Sequence, residues 1–157
     1  EQVKSDALVE EFIEGRELYV GVIGNQRLQT YPVWEMDFGS SDNNGIAIAT
    51  RKAKWDRAYR SKHGIGSHAA RLKPAVAARI RDMALRGYRD LSLTGYARMD
   101  FRLTAEGEVY LLEANANPCL TGYEDFARAA QAAGDDYAAL LERIIRLGKN
   151  YRAAWRA

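Results

Sequence analysis

Residues 95–113, "GYARMDFRLTAEGEVYLLE", alternate apolar and polar side chains along two runs that meet at Glu106-Gly107. A helix repeats its faces about every 3.6 residues and cannot keep a period of two, so both runs read as strands of one hairpin. With Glu106-Gly107 as a two-residue loop, Ala105 falls opposite Glu108, Asp100 opposite Glu113 and Arg98 opposite Asn115. Arg98, Asp100, Glu113 and Asn115 then share one face, while Met99, Phe101 and Leu112 turn the other way into a core. The apolar run 109–112 reads as a buried strand.

Directly opposed side chains have Cβ atoms roughly 4.5–5.5 Å apart, so two carboxylates in that relation want a cation between them. Arg98 and Arg102 could neutralise them as ordinary ion pairs on a solvated face. A hard divalent metal with all-oxygen ligands suits the set better. Asn115 and Asn117 continue the face in steps of two after Glu113, and their amides add coordinating oxygens without charge.

The 157 residues suffice for one compact domain, 1–157. A hydrophobic share of 47% with 28% charged residues excludes a disordered chain, and a net charge of +2 makes no strong case for nucleic acid. The single cysteine, Cys119, excludes an internal disulfide framework and fits a cytoplasmic setting; it reads as a small packing residue. No apolar run approaches the ~20 residues of a membrane span. The chain opens at Glu1 and soon enters "DALVEEFIEG", which reads as a strand. A piece of a longer protein would start so, and a trimmed chain would start the same way.

Further strands are expected over "ELYVGVI" and "LQTYPVW", joined by a hairpin at "GNQR", and over "IAIAT". From "RKAKWDRAY" to "HGIGSHAARL" the chain reads as a long basic surface loop whose two histidines face solvent. Pro74 opens a helix whose apolar face includes Val76, Ile80, Met83, Ala84, Tyr88 and Leu91, and two more helices are expected around 123–133 and 136–148. This order predicts an α+β fold: an antiparallel sheet with helices packed on one face.

The segment "GYARMDFRLTAEGEVYLLEANANP" resembles the end of an ATP-grasp ligase, particularly of the D-alanine–D-alanine ligase group, whose setting is peptidoglycan and cell-wall biogenesis. The resemblance covers nearly the whole chain and implies the C-terminal ATP-grasp lobe, with the N-terminal substrate domain and the first lobe absent. It implies ATP with Mg²⁺ or Mn²⁺ as cofactors. Asp100, Glu113 and Asn115 become metal ligands, and Arg98 the catalytic arginine that steadies an acyl phosphate and a tetrahedral intermediate. In "VEEFIEGRELYVGVIG" it implies Glu10 on the adenine amino group, the Ile13 backbone on the adenine edge and Glu17 on the ribose. In "RKAKW" it implies Lys54 on the phosphates. Taken alone, the acids at 10–17 would be a solvated strand edge and Lys54 a solvated lysine.

Two departures touch the acceptor pocket. Glu124 or Asp125 stands near the group's serine, and Trp55 replaces its tyrosine. The implied activity is a carboxylate–amine ligase with small acid and amine substrates, partnered by the remaining lobes, inactive as this piece alone. A homodimer is left open. Two rivals stand beside it: a non-catalytic fragment of such an enzyme, and a nucleic-acid-binding module using Lys52, Lys54, Arg57, Arg60 and Lys62 with Trp55 and Tyr59 interleaved.

Overall fold

In the computed structural model, residues 6–40, 48, 50, 52–53 and 56–152 are described. The strands are β1 (Arg16–Ile23), β2 (Gln29–Thr30), β3 (Trp34–Asp37), β4 (Gly66–Ala69), β5 (Tyr96–Leu103) and β6 (Val109–Asn115). The helices are α1 (Arg57–His63), α2 (Pro74–Asp90), α3 (Asp125–Ala132) and α4 (Tyr137–Lys149). The sheet runs β4-β3-β1-β5-β6 with β2 paired to β1, and every pairing is antiparallel.

The α+β class holds, but the helices divide between the two faces of the sheet. Side chains alternate along β1, so Leu18, Val20 and Val22 face α2, where they meet Ile80, Ala84 and Tyr88. Tyr19 and Ile23 face the other way and meet Phe126, Ala130 and Leu140 of α3 and α4. An apolar helical stripe says only that a helix covers a sheet, not which face it covers. Gly21 lets α3 approach closely: a Cβ there would stand 3.0 Å from the rings of both Phe126 and Tyr31.

The hairpin loop is three residues, not two. Thr104 N–H donates to Glu108 O, Gly107 N–H donates to Thr104 O, and Gly107 has a φ of 91°. This is a type I turn closed by a left-handed glycine. It pairs Leu103 with Val109 and Phe101 with Leu111, one residue away from the expected register. A bulge opposite Asp100 and Phe101 absorbs Leu112 and restores Asp100 opposite Glu113 and Arg98 opposite Asn115. The run 109–112 is not a core: β6 ends the sheet, and only Val109 is buried, with Tyr110, Leu111 and Leu112 exposed.

The basic stretch is not one long loop. Asp56 caps α1 by accepting from Tyr59 N–H at 3.0 Å, left-handed Gly64 ends it, and β4 then pairs with β3. His63 is buried, with Nδ1 3.1 Å from Ser40 O, whereas His68 is exposed as expected. Residues 6–15, "DALVEEFIEG", are not a strand, and most of "IAIAT" lies outside the described residues. No helix among the described residues is long and apolar enough to cross a membrane.

Gly21→Ala should lower stability by about 1–3 kcal/mol, because two fixed aromatic rings must give way. Urea unfolding should show an earlier midpoint at unchanged slope. An unchanged midpoint would mean that α3 does not rest on this strand.

Candidate functional site

One face of the central strands carries an ordered row of charges. Glu17 of β1 lies opposite Arg102 of β5, Tyr19 opposite Asp100, and Gly21 opposite Arg98. Arg102 Nη2 donates to Glu17 Oε2 at 2.6 Å, and Tyr19 O–H donates to Glu17 Oε1 at 2.6 Å. Arg102 Nη1 also donates to Gly15 O at 2.9 Å. Glu17 is 9% and Arg102 3% exposed, so this is a buried and fully hydrogen-bonded ion pair. Burial, followed by the charge of Glu17, pushes the Tyr19 phenol well above its ordinary value.

Arg98 grips Asp100 with a fork, Nε to Oδ1 at 2.7 Å and Nη2 to Oδ2 at 2.8 Å. Its guanidinium carbon lies 4.5 Å from the centroid of the Tyr19 ring. Burial works against the Arg98 charge, but Asp100 outweighs it and the pKa stands above the ordinary guanidinium value. Burial also pushes the Asp100 carboxyl above the usual carboxylate range despite Arg98, with Glu113 and Glu17 adding like charge. Glu113, directly opposite Asp100, is exposed and makes no ion pair among the described residues. Asn115 Oδ1 accepts from Asn117 N–H at 2.9 Å, which fixes the amide beside Arg98.

Part of this row opens on a cleft of about 810 Å³, while Glu17, Asp100 and Arg102 sit behind its lining. Tyr19, Arg98, Glu113 and Asn115 line it from the sheet, Arg57 and Arg60 from α1, and Tyr123, Glu124, Asp125 and Arg128 from the turn into α3. Carboxylate and amide oxygens on β5 and β6 are of the chemical type that hard divalent cations take as ligands. Among the described residues no three His, Cys, Asp or Glu side chains converge as a metal cluster. The set here is two carboxylates and an amide.

Four expected site residues, Arg98, Asp100, Glu113 and Asn115, are therefore brought together. Glu10 is exposed and Ile13 half-buried in the irregular segment leading to β1, while Glu17 lies inside the sheet, held by Arg102 and Tyr19. Lys54 and Trp55 lie outside the described residues. Tyr19, Ser67 and Arg128 were not singled out from sequence. Tyr19 follows Glu17 by two and so shares its face, a signal that was legible; Ser67 and Arg128 meet only through tertiary packing, with Arg128 Nη1 3.0 Å from Ser67 O.

The family described as "D-ala D-ala ligase C-terminus" matches residues 1–146. The chain is 35% identical over 145 residues to the D-alanine–D-alanine ligase of Desulfotalea psychrophila, covering 90% of this chain and 41% of that protein. An uncharacterized protein, y4sG, of Sinorhizobium fredii is 32% identical over 140 residues, covering 89% of this chain and 40% of its own length. The chain thus spans about two fifths of these relatives. Among solved structures, the D-alanine–D-alanine ligase from Bacillus anthracis superposes with a TM-score of 0.70 at 23% identity, over 89% of this chain and 41% of that one. VanG D-Ala:D-Ser ligase from Enterococcus faecalis gives 0.68 at 25%, over 88% and 37%. None of these matches supports the nucleic-acid reading, and the family match spans nearly the whole chain: this chain belongs to the family of D-alanine–D-alanine ligase C-terminal domains.

Proposed function

We propose that this chain forms the magnesium- and nucleotide-binding side of an ATP-dependent carboxylate–amine ligase that works through an acyl phosphate. The observation that carries the reading is the pairing of Asp100 with Glu113 and of Arg98 with Asn115, the last three of which line the cleft with Asp100 just behind Arg98. Two opposed carboxylates with one guanidinium, held on Asp100, leave a negative charge that a divalent cation neutralises. A relative in fold, the D-alanine–D-alanine ligase from Bacillus anthracis, has been solved in complex with ATP. In this reading the protein is cytoplasmic, and the rest of the nucleotide grip comes from lobes like those its relatives carry beyond the matched region.

Asp100, Glu113 and Asn115 would hold the metal, which when bound neutralises phosphate oxygens and orients them for in-line transfer. The chain's own part is positional. Asp100 spends both oxygens on Arg98, and carboxylate oxygens have further lone pairs to offer a cation. Arg98 uses Nε and Nη2 on Asp100 and keeps Nη1 for oxyanion charge that develops in the cleft. The Tyr19 face holds the guanidinium from the other side, so its charge is placed before reaction begins. Glu10, the Ile13 backbone, Glu17 and Lys54 complete the proposed nucleotide contacts. Glu17 reaches a ribose only by sharing an oxygen already used by Arg102 or Tyr19.

Magnesium–ADP binding followed by calorimetry should be lost in Glu113→Gln by at least the roughly tenfold that even an outer-shell change at a metal site brings. Equal affinity in the variant would sink the metal assignment. Magnesium-dependent affinity should also be complete at neutral pH and decline on acidification earlier than an ordinary carboxylate dictates. The reason is that the proton competes for an Asp100 oxygen whose pKa burial has raised. A calorimetric series in pH should place that decline above the usual Asp range, and Asp100→Asn should remove it together with most of the metal affinity. In an enzyme carrying all lobes, Arg98→Lys should lower kcat/KM by about 10²–10³, the loss typical of one oxyanion donor, with a smaller change in KM.

A further inference from the structure

The metal and phosphate reading leaves one end of the cleft unused. Arg57 and Arg60 on α1 and Arg128 on α3 line it, with Arg128 tied to Ser67 of β4, the edge of the sheet opposite β6 and Glu113. None of these guanidiniums has a carboxylate partner among the described residues. Arg57 lies with its guanidinium carbon 5.6 Å from the centroid of the Tyr123 ring. Arg128 is fixed more firmly: Nη1 donates to Ser67 O at 3.0 Å and Oγ at 3.2 Å, and its guanidinium carbon is 5.3 Å from the Trp34 centroid. Ser67 Oγ in turn donates to Asp125 Oδ1. Like charges gathered in one cleft repel, and a fixed planar fork is the group that holds carboxylates bidentately. The same end also carries two acids, Glu124 and Asp125.

We propose that this end of the cleft is a subsite for an amino dicarboxylate, with its ammonium toward Glu124 and Asp125 and its two carboxylates on Arg57, Arg60 and Arg128. A simple monocarboxylic amino acid would occupy one fork and leave the others unpaired. A nucleotide phosphate would satisfy the arginines but would face the two acids, whereas an ammonium needs them. The ligand being the amine consumed in ligation rests on the ligase reading; the binding itself does not.

The test is an NMR titration of this chain with glutamate, D-alanine and inorganic phosphate, reading the arginine Nε–Hε signals. Glutamate should move the Arg57, Arg60 and Arg128 signals saturably and bind at least roughly tenfold tighter than alanine, the gain from one more charge-assisted pair. Arg128→Gln and Arg60→Gln should each weaken glutamate by a similar factor. Arg79→Gln, which loses an exposed pair with Glu108 and a long contact to Gly107 O, should leave it unchanged, and dispersed spectra establish that all three variants fold. Absence of saturable binding, equal affinity for alanine, tighter phosphate binding at the same three arginines, or indifference to Arg128→Gln and Arg60→Gln would each overturn the proposal. Magnesium–ADP titrated into the same sample separates the two readings. Nucleotide binding without glutamate binding ends this proposal alone, and glutamate binding without nucleotide binding ends only the assignment of nucleotide binding to this lobe by itself.

Discussion

The pairing of β1 with β5 carries the rest of the molecule, because it sorts charge from hydrocarbon. Eight residues of each strand face one another without interruption, from Arg16 opposite Leu103 to Ile23 opposite Tyr96. On one face lie Leu18, Val20, Val22, Ala97, Met99, Phe101 and Leu103, all buried under α2. On the other lie Glu17, Arg98, Asp100 and Arg102, joined in two hydrogen-bonded ion pairs. A slip of one residue would drive the charges under α2, where each unpaired ion costs several kcal/mol. The residues of the candidate site therefore also specify the register. They cannot be exchanged for function without consequences for folding.

The Leu112 bulge has the same double character. The three-residue loop, left uncorrected, would set Asp100 opposite Leu112 and Arg98 opposite Ala114. Glu113 and Asn115 would then point toward α2. One extra residue on β6 reverses that face assignment from Glu113 onward, so acid and amide rather than aliphatic side chains meet the cleft. Local twist at an edge strand is a small structural price set against that gain, and Leu112 itself stays exposed.

How much could be read from sequence follows from the range of each interaction. Period-two alternation is local, and it revealed β5, β6 and the opposition of Asp100 and Glu113. The register came out right because two departures cancel: a loop one residue longer than assumed, and a bulge that restores it. Pro74 and the apolar spacing after it likewise marked α2. The helix α1 was missed although its signals are present, Asp56 at the N-cap and Gly64 after the end, because its short basic turns carry no clear apolar stripe. The partner of Glu17 was not legible at all. Arg102 lies 85 residues away, and only the folded sheet brings them together.

The Arg98–Asp100 fork explains how such a site can be assembled before anything binds. A carboxylate that is almost fully buried needs a cation at once, and Arg98 supplies it at 2.7 and 2.8 Å. The pair is not balanced, since Glu113 stands opposite with no cation of its own among the described residues. A chain that resolved this charge fully would place a second arginine or lysine on β6. This chain places Asn115 there instead, whose amide contributes an oxygen and no charge. The result is a fold that holds its acids in register and leaves Glu113, on the β6 side of the cleft, without a cation of its own among the described residues, which is the local imbalance that the proposed metal would answer.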